Sequence, residues 1–347
     1  MPAWPRISTT RPRRGWSTAC CTAWPSACAP RTWRVNPRRA GEFELIARHF
    51  APLAAAAPGA AGLVDDVALL TPPPGESLVF KTDAIVAGRH YLPDDPPDLV
   101  ARKLLRVNLS DLAAKGARPL GYLLACCFPD DVAEDWIAGF ARGLGQDQRE
   151  FEMTLWGGDT TATPGPASFA ATVIGAVAGG RVPRRSGAKP GDLVLVTGTL
   201  GDAALGLEVL KGKLRTPDDA LLIERYRLPR PRLKEGRELA PWLNAAIDIS
   251  DGLAADLGHV ALQSGLGAEI DCARIPLSPP ARAALERDPA LWPLVVAGGD
   301  DYEILGTAPA LLPGTTAIGR MVAGRGVAIR GPDGNPLALG KTGYRHF

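Results

Sequence analysis

The sequence predicts a two-domain protein of mixed α/β (α+β) class. The chain has 347 residues, against roughly 100–200 for a typical domain. Short apolar runs of strand type alternate with stretches whose apolar residues recur at helical spacing. Midway, Gly179, Gly180, Pro183, Gly187 and Pro190 crowd together, a density of breakers that marks a boundary between residues 41–179 and 180–347. With 46% hydrophobic and 22% charged residues, neither a disordered chain nor a fibrous repeat is tenable.

Residues 1–40 stand apart. They hold eight Arg, four of the eight Trp and three of the six Cys, and no Asp or Glu. The other residues carry 31 Lys and Arg against 37 Asp and Glu. The net charge of +2 therefore hides a mildly acidic body and lends no support to nucleic-acid binding. The basic segment superficially suits a transit peptide, yet Trp and Pro interrupt any amphipathic helix and no apolar core precedes a cleavage site. It reads as a disordered or mis-called extension, with a targeting segment and a basic arm as the other readings. Cys126, Cys127 and Cys272 form no CxxC spacing and read as reduced core thiols. No apolar run reaches the roughly 18 residues of a membrane span, and the chain reads as cytoplasmic.

From Gly41 to Phe50 the spacing predicts a helix burying Phe43, Ile46, Ala47 and Phe50. Leu78–Asp83 is a strand ending in a carboxylate. Residues 98–115 form a helix with Asp98 as N-cap and Gly116 as C-cap. Tyr122–Phe128 is a strand, and Val132–Leu144 a helix stopped by Gly145. Met153–Trp156 is a strand leading into Gly157-Gly158-Asp159, and Phe169–Val177 is another. In the second half, Leu193–Thr197 is a strand and Asp202–Leu210 a helix, and a further helix ends over Leu239–Leu243. Ala245–Ile249 is a strand that stops at Ser250-Asp251-Gly252 before a helix running through Ala261.

The chemistry lies in the aspartates. There are four His (49, 90, 259 and 346), no HExxH, no GxSxG and no P-loop. Gly198-Thr199-Leu200-Gly201-Asp202 opens a helix and reads as a simple turn before it reads as an anion site. Asp65-Asp66, Asp83, Asp159, Asp248, Asp251 and Asp300-Asp301, in contrast, recur at strand ends or beside glycines. Carboxylates so placed suit Mg²⁺, which takes oxygen ligands and leaves part of its shell to phosphates. Asp111 lies mid-helix with Asn108 at i−3, which allows an internal hydrogen-bonded pair. With no cation nearby in sequence, the metal reading is favoured. Singly, any of these could cap or turn the chain; together they point to a Mg-dependent enzyme acting on phosphates.

The segments GEFELIARHF, DDVALL, KTDAIVAGRHYLP, NLSDLAAKGARP, GGDTT, RRSGAKPGD, VTGTLGDAALGL, AIDISDGLAADLGH, GGDDYE and GYRHF run in that order from Gly41 to Phe347. In this series the chain resembles the thiamine-monophosphate kinases. The resemblance implies an aminoimidazole-ribonucleotide-synthetase-like fold of two α/β domains, the first pairing in a homodimer to close a β-barrel. It implies ATP-dependent phosphorylation of thiamine monophosphate with several Mg²⁺ ions. Carried over by motif, Asp66, Asp83, Asp111, Asp159, Asp248 and Asp251 would hold metal, with Lys81 and Thr82 beside them. Gly158, Asp159, Arg185 and Ser250 would meet ATP, and His90, Asp300 and Lys341 the thiamine substrate. Asp111, Asp159 and Arg185 would carry catalysis.

The chain departs from the family pattern at several positions. Lys81 stands where a small hydroxyl residue is usual, Val64 replaces a glycine, Asp300 replaces a Glu, Lys341 replaces an aromatic, and Ala162 an Arg. Selenophosphate synthetase and the hydrogenase-maturation relative need a reactive Cys that is missing here, at the first Asp cluster and at the chain's end respectively. Aminoimidazole ribonucleotide synthetase matches RRSGAKPGD and GYRHF poorly. A nucleotide-binding homologue without catalysis is the alternative, with Lys81 and Lys341 as its marks. Removing residues 1–40 is expected to leave the melting midpoint unchanged in a calorimetric scan; a lower midpoint would show that the segment packs on the body.

Overall fold

The computed structural model describes residues 40–179 and 182–344. The readings for residues 1–39, for Gly180 and for His346 lie outside these. A short helix α1 (Glu42–Leu45) widens into a π-turn over Ile46–Phe50. Leu45 and Phe50 are buried while Phe43 is 82% exposed, contrary to the expected apolar face. Widening to an i→i+5 turn brings residues five apart onto one side.

The first sheet contains β1 (Glu76–Val86), β2 (Arg118–Pro129), β3 (Thr154–Thr163) and β4 (Ser168–Ala178), in the order β1-β4-β2-β3. Only the β2–β3 pair is parallel. Two helices, α2 (Pro97–Ala114) and α3 (Glu134–Glu150), accompany it. Asp98 sits in the first turn of α2 rather than at its N-cap, where its charge still meets the helix's positive end. Gly116 follows the C-cap with φ +66°, as the left-handed exit of a helix requires.

Gly145 does not stop α3. The helix runs on to Glu150, and its glycines serve close packing. A Cβ on Gly143 would stand 2.2 Å from the Asp98 carbonyl oxygen. Gly157-Gly158-Asp159 likewise forms no turn, because β3 continues through all three, paired with Leu123, Leu124 and Ala125.

The second sheet has the order β10-β7-β9-β5-β8-β6. Its strands are β5 (Leu193–Val196), β6 (Ala245–Asp248), β7 (Gly267–Asp271), β8 (Ile304–Ala308), β9 (Thr316–Val322) and β10 (Gly326–Arg330). Around it lie α4 (Asp202–Leu210), α5 (Asp219–Arg227), α6 (Leu233–Leu239), α7 (Leu253–Ser264), α8 (Pro279–Arg287) and α9 (Trp292–Ala297). The helix expected to end over Leu239–Leu243 is α6, which ends at Leu239. Cys126 and Cys272 are buried and Cys127 partly so, all three free. No helix among the described residues is long and apolar enough to cross a membrane.

Helix α2 is buried almost all round, against α3, β1 and β4 on one side and α6, β6 and β8 on the other. Four of its polar residues, Lys103, Arg106, Asn108 and Ser110, are buried too. Arg106 pairs through Nε and Nη2 with Asp147 on α3, at 2.8 and 2.9 Å, and donates to the Pro229 carbonyl at 3.0 Å. Arg102 adds a third bond to Asp147, at 2.7 Å. Asp147 has no exposed surface, so its loss would strand two guanidinium groups. Asp147→Ala is expected to cost about 3–5 kcal/mol in urea denaturation, while Glu150→Ala, at the half-exposed end of the same cluster, should cost about 1 kcal/mol or less.

Candidate active site

A cavity of about 330 Å³ opens where β1 and α2 face the loops of the second half. Lys81, Asp83, His90, Lys103, Asp111, Arg185, Asp248, Ser250, Asp251, Asp300 and Tyr344 all line it. Strand alternation explains the first two, since residues two apart share a face. Asp83 therefore lies mid-strand, not at a strand end, and its amide donates to Asn108 Oδ1 at 2.9 Å. Asn108 Nδ2, the group that could donate to a carboxylate, goes to the Leu104 carbonyl at 2.9 Å in place of the possible Asn108–Asp111 pair.

Asp111, expected to hold metal for want of a nearby cation, has one after all. A cation thirty residues away reaches it, with Lys81 Nζ 2.9 Å from Asp111 Oδ2 and 3.2 Å from Asp83 Oδ1. Burial works against the Lys81 charge, yet the two carboxylates outweigh it and raise its pKa. Burial raises that of Asp83, against the pull of Lys81. Asp248 ends β6, one residue before the expected end at Ile249. It is pushed up to about 8 by burial, with the charge of Asp111 adding, and its Oδ2 is buried with no hydrogen-bond partner.

The loop carrying Ser250 and Asp251 is held by a residue the sequence reading passed over. Asp256, buried in the first turn of α7, accepts three backbone N–H bonds on Oδ2, from Ser250, Asp251 and Gly252 at 3.0–3.1 Å. Burial pushes it up to about 7, the charge of Asp251 adds, and the three donors pull the other way. Asp251, Asp256 and His259 bring ligand atoms within 4.8 Å of one another, but the Oδ2 of Asp256 is committed to the loop.

A second loop is laced to the first. The Asp300 amide donates to the Ser250 carbonyl at 2.9 Å and the Tyr302 amide to Ile249 at 2.8 Å. Asp300 takes φ +62°, a costly conformation outside glycine. Its side chain is fixed there by Lys103 Nζ and the Tyr302 hydroxyl, each at 3.0 Å. His90 Nδ1 accepts the Val86 amide at 3.0 Å, which puts the proton of the neutral ring on Nε2. Here the backbone-bonded reading and the cavity-facing reading hold together.

Other expected residues are elsewhere. Asp66, Gly158 and Asp159 line a separate cavity of about 470 Å³ on the exposed face of the first sheet. Gly158 is there for space: a Cβ would stand 1.8 Å from the Leu124 carbonyl oxygen. The Thr82 side chain points to the face opposite Asp83 and bonds Thr172 Oγ1 at 2.7 Å. Lys341 is exposed and lines neither cavity; Tyr344 is the aromatic that lines the central one, and the GYRHF segment was its signal. Lys103 gave none, being one cation among the apolar residues of α2. The Gly201 amide is taken by Asp301 Oδ1 at 2.8 Å, in keeping with a turn at Gly198–Asp202.

With this geometry, the likenesses are decisive. Models of the AIR synthase related proteins match residues 64–177 (N-terminal domain) and 189–330 (C-terminal domain). The thiamine-monophosphate kinase of Escherichia coli (strain K12) is 44% identical over 325 residues, 88% of this chain and 98% of its own length. The chain belongs to the thiamine-monophosphate kinase family. Among solved structures, the thiamine-monophosphate kinase of Stenotrophomonas maltophilia K279a superposes with a TM-score of 0.71 at 39% identity, covering 79% of this chain and 90% of that one. AaThiL complexed with AMPPCP and TMP gives 0.72 at 31% identity, covering 82% and 91%.

The cavity framed by carboxylates can be tested for metal on its own atoms. The unpartnered buried Oδ2 of Asp248, beside the carboxylates of Asp251 and Asp111, fits a hard cation. Between Asp83 and Asp111 the place is taken by an ammonium. As the anchor of the Ser250–Asp251 loop, Asp256 should matter for turnover. Asp256→Ala is expected to lower kcat about 10–100-fold in steady-state kinetics, and Asp256→Asn, whose amide oxygen still accepts, to recover most of it.

Proposed function

We propose that the chain transfers the γ-phosphoryl group of ATP to thiamine monophosphate, giving thiamine diphosphate and ADP. The observation that carries this is a cavity whose walls suit two polyanions and counter-cations at once. Asp83 and Asp111 line it from β1 and α2, Asp248 and Asp251 from the second half, and an adjoining cavity of about 560 Å³ shares Lys81, Asp111 and Arg185 and adds Lys115 and Arg184. Support also comes from the identity to the Escherichia coli kinase and from the relative complexed with AMPPCP and TMP.

The acceptor is itself a phosphate, ionised near neutrality because its second pKa is about 6, so no residue has to act as a general base. The difficulty is repulsion between donor and acceptor. Asp248 and Asp251, bordered by Asp111, would hold Mg²⁺ in the central cavity, with Asp66 and Asp159 able to do so on the sheet face. When bound, Mg²⁺ neutralises phosphate charge. Arg185 offers bidentate bonds to a phosphoryl group, and Gly158, Asp159 and Ser250 are the further ATP contacts in this reading. His90 Nε2–H, Asp300 and Tyr344 face the cavity as the thiamine side, Tyr344 in place of Lys341. Transfer is read as direct and in line.

The reading includes a homodimer joined on the exposed face of the first sheet, where Phe80 is 62% and Leu123 40% exposed. It takes residues 41–179 and 180–347 as the two domains, and a cytoplasmic setting.

With ATP, Mg²⁺ and thiamine monophosphate, equal amounts of thiamine diphosphate and ADP are expected. ATP binding without product would favour the silent homologue instead. Asp111→Asn should reduce turnover about 100-fold or more while leaving the circular-dichroism melt unchanged; an active Asp111→Asn enzyme would remove Asp111 from the machinery.

A further inference from the structure

The carboxylates around the central cavity fall into two kinds. Asp248 has a buried oxygen with no protein partner. Asp83 and Asp111 share the Lys81 ammonium at 3.2 and 2.9 Å. We propose that Lys81 is a built-in counter-ion that takes the place of a divalent cation between Asp83 and Asp111, so that this chain binds one metal ion fewer than its carboxylates could hold. The inference rests on the metal-assisted reading above and specifies where in the site a metal does not go.

The local fold makes this pairing a constructed one. Lys81 and Asp83 are two apart on β1 and so share a face. Across from them, Asn108 Oδ1 accepts the Asp83 amide at 2.9 Å, which holds β1 in register with α2. Asp111 lies one turn further along α2, so the same bond that fixes Asp83 also presents Asp111. The Lys81 side chain is 28% exposed, which leaves it limited room to leave the pair. An ammonium bridges carboxylates at N···O distances near 3 Å, whereas Mg²⁺ draws its oxygens in to about 2.1 Å. One position between two carboxylates cannot hold both. Lys81 supplies a single fixed positive charge that needs no recruitment from solvent, and Asp248 with Asp251 remains for exchangeable metal.

Mn²⁺ binding to the full chain, followed by the paramagnetic resonance signal of free Mn²⁺ in the presence of AMPPCP, tests this without turnover. Lys81→Ser is expected to bind one more Mn²⁺ per chain than the wild type. Lys81→Met, which removes the charge and adds no ligand, should do the same and covers the case in which the serine variant fails to fold. Equal counts for the wild type and a folded variant would overturn the substitution of Lys81 for a metal. Absence of bound Mn²⁺ from the wild type and both variants would instead overturn the metal-assisted reading on which it rests.

Discussion

The described part of this molecule is organised around the burial of four polar side chains on one helix, α2. Burying a charge without a partner is costly enough to unfold a domain, and α2 buries Lys103, Arg106, Asn108 and Ser110 together. The bonds of the helix therefore dictate what packs against it. Asn108 takes β1 through the Asp83 amide, and Arg106 takes α3 through Asp147 and the second half through Pro229. Lys103 takes the Asp300 loop, and Lys115 donates to the Ala246 carbonyl on β6 at 2.7 Å. These contacts run in both directions from the helix. The loops of the second half are thereby set against β1 and α2, and the cavity lies between them.

The same constraint supplies the cavity with its charges. A purely apolar α2 would join the two halves more simply, but it would remove Lys103 and Asp111 from the cavity wall. Placing Asp111 on the flank of the helix and Lys81 opposite gives a wall whose charge is partly offset internally, while Asp248 is left with an unpartnered oxygen. Loops usually carry function at the expense of rigidity. Here the Ser250–Asp251 segment escapes that compromise, since Asp256 and the Asp300 loop satisfy its backbone from two sides.

Much of the framework was legible because apolar period and breakers speak directly about strands and helices. The helix at Asp202–Leu210 agrees at both ends, and the strands at Leu78–Asp83, Tyr122–Phe128 and Phe169–Val177 were found, though short. Glycine was the main source of error. Gly145 and Gly157-Gly158 read as stops because sequence shows the loss of a side chain but not its surroundings: at Gly158 the Leu124 backbone needs the space, while Gly145 stays within the run of α3. The aspartates were legible as a set, and the structure brings Asp83, Asp111, Asp248, Asp251 and Asp300 to one cavity. Their pairings were hidden, since Lys81 and Asp111 or Lys103 and Asp300 meet only through tertiary packing. Asp256 looked like an ordinary first-turn acid, and nothing local tells three backbone bonds from none.

The traffic of bonds across α2 also bears on how such chains can recombine. A chimaera taking residues up to the Gly–Pro cluster from one relative and the remainder from another would inherit half of each pairing. Arg106 would tolerate the exchange, because on that side it asks only for a backbone carbonyl, and Lys115 likewise. Lys103 would not, because it needs a carboxylate at Asp300 in a loop with a left-handed residue. Exchange between lineages at this boundary is thus filtered by side-chain pairs, Lys103 with Asp300 and Asp95 with Arg227, and the positions within each pair are bound to drift together.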